Sequence, residues 1–167
     1  GTVFQGWDTG GSSHGAMLDG AYGTVVIPAG GLTITNTTVT MLNNSGQIDP
    51  SNVVTINGAA ALTLFGSNTL AKLVFNNDGG ARTPFINTSG LLTLPTSANP
   101  VIVAGGSLYG TVPDLRGQID LGGTSATIQV DPYLFNGVAF APWSTTVPLN
   151  ISGNLANATA ITKTGAG

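Results

Sequence analysis

The sequence predicts an all-β protein built as a parallel β-solenoid, a β-helix with short strands and Gly/Asn corners. Three observations predict this fold class. The composition is poor in charge and rich in strand and turn residues, short apolar runs are bounded by Gly, Asn or Pro, and a Thr-centred apolar motif recurs about every 30 residues.

The composition argues against surface helices. Only 7% of the 167 residues are charged, against about 25% in an average soluble domain. The acidic residues are all Asp, and the cations are Lys72, Arg82, Arg116 and Lys163. Glu and Lys normally build solvated helix faces. The 25 glycines, with abundant Thr, Val and Asn, instead favour pleated strands and tight turns.

The same composition excludes several classes of partner and site. No basic cluster is present, so neither nucleic acid nor an anionic membrane surface is an expected partner. The chain has no Cys and one His, which excludes disulfides and a zinc site formed by this chain alone. No apolar run reaches the roughly 18 residues of a membrane span. We therefore expect no metal, no cofactor and no membrane insertion by this segment.

Short alternating apolar runs predict the strands. Each is bounded by Gly, Asn or Pro, and none has helical spacing over eleven residues. The runs are Thr24–Ile27, Leu32–Leu42, Val53–Ile56, Ala61–Phe65, Leu70–Phe75, Leu91–Leu94, Val101–Ala104, Gln118–Leu121, Ala126–Val130 and Val147–Ile151.

The spacing of one motif favours a solenoid. Leu32-Thr33-Ile34, Leu62-Thr63-Leu64 and Leu92-Thr93-Leu94 step by 30 residues, and Ala126-Thr127-Ile128 and Ile161-Thr162 follow after 34 and 35. A unit of this size cannot bury its apolar face alone, whereas stacked units share a continuous core. Leu, Ile, Val and Ala are expected inside, and Thr, Asn and Ser outside. A β-sandwich or jelly roll remains the alternative, because it also has short strands and frequent turns.

We divide the chain into two segments. Residues 1–23 form a Gly-rich cap or junction segment, and residues 24–167 form the solenoid coils. No linker separates a second domain.

The last seven residues carry a family resemblance. Lys163-Thr164-Gly165-Ala166-Gly167 is similar to the Lys-Thr-Gly-x-Gly signature of the autotransporter-associated β-strand repeat, and Leu149–Leu155 resembles the family's lead-in strand. The resemblance implies a large secreted or surface-anchored bacterial protein with a parallel β-helix, in which the motif turn has no catalytic role. Gly1–Gly6 also resembles the strand that follows the signature, so we expect the chain to be one unit of a longer tandem array.

The sequence contains only weak candidates for a catalytic site. The best charged cluster is Asp114 and Asp120 with Arg116, and Asp114 and Arg116 are close enough in sequence for a local ion pair. The Asp49-Pro50 and Asp131-Pro132 pairs predict turn starts. His14, with nearby Ser and Asp residues, lies in a Gly/Ser-rich loop without a nucleophile-elbow motif. We therefore predict no catalytic residue and no enzyme.

Aromatic side chains are the remaining candidate site residues. Packing in the core or over an end of the solenoid is the role that we predict for most of these rings. Phe4, Trp7, Tyr109, Tyr133 and Trp143 are also candidates for assembly contacts or for stacking on a glycan, and Tyr22 could stack on a glycan if it is exposed.

These observations predict a structural module of a bacterial extracellular or cell-surface fibre. Its expected partners are copies of itself, associating end to end or laterally through stacked strands, because an unprotected strand edge pairs with another chain. The alternative is an adhesin passenger or stalk that binds glycans. A polysaccharide-cleaving β-helix enzyme is a third hypothesis, which requires two or three Asp side chains to lie close to one another.

Overall fold

The structure is a computed structural model that describes residues 1–6, 15–78, 82–106, 111–135, 138–139 and 148–167. Over these residues every regular element is a β-strand except one short 3₁₀ helix at Thr96–Ala98. The strands form two sheets, whose pairings are parallel throughout except for one short hairpin.

The first sheet is a stack of parallel strands that runs from one end of the chain to the other. Its strands in spatial order are β1 (Thr2–Gln5), β3 (Leu32–Thr35), β5 (Val53–Asn57), β8 (Lys72–Asn77), β10 (Ile102–Gly106), β12 (Ser125–Phe135) and β16 (Ala160–Thr164). The end of β12 also forms the hairpin with β13 (Val138–Ala139).

The second sheet runs beside the first in the same order. Its strands are β2 (Gly15–Leu18), β4 (Thr38–Met41), β6 (Ala61–Leu64), β9 (Phe85–Thr93) and β11 (Asp114–Asp120), with β7 (Asn68–Thr69) beside β9 and with β14 (Asn150–Ile151) and β15 (Asn154–Ala156) beside β11. The chain therefore alternates between the two sheets, and each circuit adds strands to both. This confirms the predicted parallel β-solenoid architecture.

Inward side chains align in rows, because paired residues in a parallel ladder point to the same face. One row, here called the Leu73 row, comprises Thr2, Leu32, Val54, Leu73, Ile102, Ile128 and Lys163. The adjacent Phe75 row comprises Phe4, Ile34, Ile56, Phe75, Ala104 and Val130. Their central members are fully buried. The predicted inward placement of aliphatic residues is therefore confirmed.

The predicted 30-residue step is wrong for most of the stack. Leu32 lies in the first sheet, whereas Leu62 and Leu92 lie in the second. Successive members of the Leu73 row are separated along the chain by 30, 22, 19, 29, 26 and 35 residues. The apolar-Thr-apolar pattern occurs in strands of both sheets. The spacing between successive motifs is therefore often a distance between the two sheets and not the length of one coil. Only the final step, in which Ala126 pairs with Ile161, coincides with a true coil.

Buried amides join successive coils at the corners. The Asn52 side chain accepts from the Gly31 N–H (2.6 Å) and donates to the Pro28 carbonyl (3.0 Å). The Gln47 side chain accepts from the Gly20 N–H at 2.7 Å. Both residues are fully buried. The predicted Asn corners are therefore present, and their buried amides satisfy backbone groups of the neighbouring coil.

Two local predictions need correction. Thr24–Ile27 forms no strand and contributes only an isolated bridge from Ile27 to Ile48. The Asp131-Pro132 pair lies inside β12 and does not start a turn. It falls where the pairing with β10 shifts register, and such irregular positions accommodate proline because they do not require its missing N–H. Asp49, in contrast, does start a turn, since its carboxylate accepts from the Ser51 N–H and hydroxyl.

Candidate functional site

The two ends of the strand stack are the first candidate site. Among the described residues, β1 and β2 are the outermost strands at one end, and β16 with β14 and β15 occupies the other. Within the described part of the chain, each of these strands has a paired neighbour on one side only. An open edge of this kind presents unpaired backbone groups to which another strand can bind.

The hydrogen bonds of β1 show which backbone groups face its open edge. The N–H groups of Thr2 and Gly6 donate to the Gly31 and Thr35 carbonyls on the β3 side, at 2.9 and 3.0 Å. Since successive backbone groups of a strand point to opposite sides, the N–H of Val3 points away from β3. The Val3 side chain, on the outer face, is 65% exposed. The Val3 N–H therefore lies on the side of β1 that has no partner strand among the described residues.

The turn formed by the Lys-Thr-Gly-x-Gly residues 163–167 lies at the opposite end of the stack. By register, Lys163 pairs with Ile128 and Ile161 pairs with Ala126, so both lie in inward rows. Both side chains are exposed, because among the described residues β16 pairs with β12 alone. The Lys163 ammonium bends over and donates to the Gly165 carbonyl at 2.8 Å and to the Gly167 carbonyl. The side chain thus binds the carbonyl groups of its own turn.

The glycines of this turn are required by close backbone approach. Gly165 has a φ of +78°, which disfavours any other residue. A Cβ added at Gly165 would collide with the Val130 carbonyl oxygen, and one added at Gly167 would lie 2.5 Å from the Asp131 carbonyl oxygen. Thr164 pairs with Gln129 at the end of β16. The Lys-Thr-Gly-x-Gly residues therefore act together to fold the chain tightly onto β12.

The aromatic candidates fall into two groups. Phe4 is half-buried at the end of the Phe75 row and packs against the core. Tyr133 is 1% exposed, and its hydroxyl donates to the Thr111 carbonyl at 3.4 Å. Burial raises the pKa of the Tyr133 hydroxyl. The ring of Tyr133 is therefore part of the core, which is the role predicted for most of these rings, and cannot stack on a glycan in this conformation.

Trp7, Tyr109 and Trp143 lie outside the described residues, as does His14. Their predicted roles in assembly or ligand binding stay predictions. Tyr22, the other aromatic residue that could stack on a glycan, is 90% exposed after β2.

The predicted charged cluster is a structural network on the outer face of the second sheet. The Arg116 Nε donates to the Asp114 carboxylate at 2.6 Å, which confirms the predicted ion pair. Ser152 Oγ and Asn150 Nδ2 donate to the same carboxylate at 2.9 and 3.0 Å. The guanidinium also lies 4.4 Å from the centre of the Phe85 ring. Asp114 thus accepts hydrogen bonds from Arg116 of its own strand and from Asn150 and Ser152 of the next coil.

Asp120 does not join this network. It lies at the other end of β11, roughly 20 Å from Asp114 at a rise of about 3.3 Å per residue. Its carboxylate accepts from the Gly122 N–H (2.7 Å) and from Asn157 Nδ2 (3.0 Å). Paired catalytic carboxylates of glycosidases lie about 5–9.5 Å apart, so these two residues are not arranged as such a pair.

The Asp114 network predicts a loss of stability in acid. Burial alone would raise the pKa of Asp114, but hydrogen bonds from Arg116 and Ser152 outweigh it and lower the pKa. Its stabilising contribution is complete above the unfolded-state pKa, about 3.9, and is lost as pH falls through the lower folded-state value. We expect Asp114→Asn to lower the free energy of unfolding at pH 7 by about 1–3 kcal/mol and to flatten its pH dependence below pH 4.

Urea unfolding of wild type and Asp114→Asn between pH 2 and pH 7 measures this directly. Parallel pH profiles for the two proteins would contradict the assigned role of Asp114. Asn154→Ala is a suitable control, because it removes an exposed side chain whose amide donates to uncharged Gln118.

A groove on the first sheet is the other feature of interest. It has a volume of about 420 Å³ and lies where the end of β12 passes β8 and β10. Val74, Val103 and Leu134 supply apolar walls, and Asn76 and Asp131 supply polar groups. Gln129 Nε2 donates to both Asp131 oxygens, at 3.1 and 2.8 Å. The groove has the size and mixed lining of a small-ligand site.

No group of three His, Asp or Glu side chains in the described part of the chain is placed to hold a metal ion. Within the same residues, no helix is long and apolar enough to cross a bilayer.

No protein-family profile, no curated protein and no solved structure matches this chain. The similarity of residues 161–167 to the repeat signature is therefore a short motif resemblance. The fold rests on the strand register described above.

Proposed function

We propose that the protein is a structural module of a bacterial extracellular or cell-surface fibre, which self-associates end to end through its outermost strands. The proposal is supported by the strand edges that the described residues leave unpaired, β1 with β2 and β16 with β14 and β15, at opposite ends of two parallel sheets. A second copy stacked on either end extends both sheets without changing strand direction.

The geometry of this contact favours a filament. The two ends are different surfaces, so the contact is heterologous, and such a contact generates a ring or an open helical filament. The strands of the first sheet pair in parallel from β1 to β16. Adding a parallel strand to a sheet edge is a known recognition mode in which main-chain hydrogen bonds supply affinity.

The charge pattern supports close packing of copies. The chain carries a net charge of −3 with only 7% charged residues, so repulsion between adjacent copies is weak. Inward positions of β1 and β2 hold Thr2, Phe4, Ala16 and Leu18, without a charged side chain. The bacterial surface location is supported by the resemblance of residues 161–167 to the autotransporter-associated repeat.

The groove beside β12 supports a second candidate function, adhesion through a bound glycan. Asn76 and Asp131 supply hydrogen-bonding groups beside the apolar walls formed by Val74 and Val103. The described part of the groove contributes no exposed aromatic ring, since Phe75 is 1% exposed. The strand edges therefore support the structural role better than the groove supports the adhesive one.

A proline at Val3 tests the edge contact. We expect Val3→Pro to weaken self-association about tenfold or more, because it removes an edge N–H worth about 1 kcal/mol or more and places a ring against the incoming strand. The N–H groups of Thr2 and Gly6, which hold β1 to β3, stay intact. Sedimentation velocity over a concentration series measures the change.

Val3→Thr is the matched control, because it keeps the backbone donor and the outward side-chain position. We expect Val3→Thr to associate like wild type, and both variants to retain the wild-type circular dichroism spectrum. Equal association of Val3→Pro and Val3→Thr would show that the β1 edge is not the contact. A wild-type protein that stays monomeric at the highest concentration would overturn the proposed function itself.

A further inference from the structure

The groove on the first sheet lies at a β-bulge in β12. Between two regular pairs of β10 and β12, the two residues Asp131 and Pro132 lie opposite the single residue Gly105. The extra residue keeps Asp131 and Pro132 in the lining of the groove and turns Tyr133 inward, where it is 1% exposed. Bulges re-aim side chains in this way and are frequent next to active sites. The bulge therefore places a carboxylate beside the groove.

Gly105 lies in the middle of the groove, and the fold does not require a glycine there. Its φ lies outside the left-handed region, and an added Cβ would meet only the Asp131 Cβ, at an ordinary contact distance of 3.4 Å. Gly106 differs, because its φ is +146° and an added Cβ would lie 2.4 Å from the Asn77 carbonyl oxygen. A side chain is thus excluded at Gly106 by the backbone, whereas at Gly105 it would fill the groove.

The Asp131 carboxylate has a hydrogen-bond partner but no ionic partner. Gln129 Nε2 donates to both of its oxygens, which orients the carboxylate without neutralising its charge. All four Lys and Arg residues lie in the described part of the chain, and none of them forms an ion pair with Asp131. Because a carboxylate accepts up to about four hydrogen bonds, acceptor positions remain for a charged donor.

Asn76 supplies a second polar group on the other side of Gly105. Gly105 pairs with Asn76 of β8, so the Cα atoms of Asn76 and Asp131 are about two strand spacings apart, roughly 10 Å. Among the described residues, no group is hydrogen-bonded to the Asn76 side-chain amide. Val74 and Val103 supply the apolar walls. The groove of about 420 Å³ therefore has room for one sugar ring between a carboxylate and an amide.

We infer that the groove binds an amino sugar, whose ammonium group pairs with Asp131 and whose hydroxyl groups bind Asn76. A protonated amine supplies the ionic partner of Asp131, and hydrogen bonds between charged groups are about twice as strong as neutral ones. The apolar face of the ring packs against Val74 and Val103. A lysine side chain would also satisfy Asp131, but its alkyl stem would leave the Asn76 amide without a partner. Asn76 therefore favours a sugar.

This inference rests on the second candidate function, adhesion through a bound glycan, and names the class of glycan. It does not depend on contacts between copies of the chain, since the residues that carry it lie in β8, β10 and β12, in the interior of the first sheet. Ligand binding and end-to-end association can therefore be measured independently.

Two substitutions separate the charge of the groove from its shape. Asp131→Asn keeps the shape and removes the charge, so we expect the affinity for a glucosamine tetrasaccharide to fall at least about tenfold. Gly105→Val places two methyl groups in the groove, and we expect a loss of at least about tenfold for any saccharide; valine is a favourable strand residue. Asp19→Asn is the matched control, because it removes an exposed carboxylate after β2, and it should bind like wild type.

Isothermal titration calorimetry of these proteins, at a pH below the pKa of the sugar amine, tests the inference. The ligands are the glucosamine tetrasaccharide, its N-acetylated form, the glucose tetrasaccharide and Nα-acetyl-lysine methylamide. Binding of the glucosamine tetrasaccharide about tenfold tighter than the other three, with that preference lost in Asp131→Asn, supports the inference.

Three outcomes would overturn it. Equal affinity for the three saccharides, or unchanged affinity in both Asp131→Asn and Gly105→Val, contradicts the amino-sugar assignment and leaves adhesion through a glycan standing. Tighter binding of the lysine derivative assigns the groove to a basic peptide. Failure of every ligand to bind removes the adhesive function as well. Sedimentation velocity of the same wild-type sample reports separately whether the proposed end-to-end association holds.

Discussion

Phe75→Ala is expected to lower the free energy of unfolding by about 3–5 kcal/mol. The Phe75 ring is 1% exposed and stands at the centre of the Phe75 row, between Ile56 on one side and Ala104 on the other. Because Ala104 is small, no neighbouring side chain in that row can fill the space that the ring leaves. Natural domains are stable by about 5–15 kcal/mol, so the loss is a large fraction of the total.

Equilibrium urea unfolding, monitored by circular dichroism, measures this effect. Val74→Ala is the matched control, since Val74 is the adjacent residue of β8 and points to the outer face. We expect the control to change stability by less than about 1 kcal/mol. Similar losses for the two variants would mean that the inward and outward faces of the first sheet are assigned incorrectly.

Asn68→Ala is expected to lower the free energy of unfolding by about 2–4 kcal/mol, which is the second-largest effect. The Asn68 side chain is 6% exposed. It accepts from the Gly46 N–H of the preceding coil at 2.9 Å and donates to the Phe65 and Gly66 carbonyls at 2.9 and 3.1 Å. Alanine would leave these backbone groups without their partner at a buried corner.

Thermal unfolding of Asn68→Ala beside Asn154→Ala checks this expectation. Asn154 is an exposed Asn whose amide also bonds to another coil, at Gln118. We expect that control to lie within about 0.5 kcal/mol of wild type. Comparable melting temperatures for the two variants would show that the buried corner amides do not hold the coils together.

The fold class followed from composition and alternation, because both report local preferences. Strand residues alternate in burial as expected, for example Leu32, Thr33 and Ile34, which are buried, half-buried and buried. The coil length did not follow, since it depends on the corner loops between strands. Leu32 pairs with Val54 and Leu62 pairs with Ile86, and no local pattern distinguishes those partners from residues 30 positions away.

Asn was predicted at the corners, but the burial of some corner amides could not be predicted, for a related physical reason. Asn36, Asn43 and Asn157 adopt positive φ, as the turn preference of Asn predicts. Asn52 and Asn68 are instead buried because they satisfy backbone groups more than 20 residues away. Such a role depends on which coil lies beside the residue, and that information resides in the register.

The turn at Lys163 and Gly165 could be predicted from the sequence, whereas the place of Lys163 in the Leu73 row could not. The signature at Lys163 and Gly165 indicated a tight turn, and Gly165 has the positive φ that such a turn requires. That Lys163 also occupies a core position follows only from its pairing with Ile128. The environment of Lys163 therefore depends on how the strands pair, and the motif alone does not determine it.

Small-angle X-ray scattering over a concentration series tests end-to-end stacking most directly. Because the proposed contact extends both sheets along their stacking direction, we predict that the particles lengthen with concentration while the cross-sectional radius of gyration stays constant. Growth of the cross-section, or scattering that does not change up to millimolar concentration, would contradict the account.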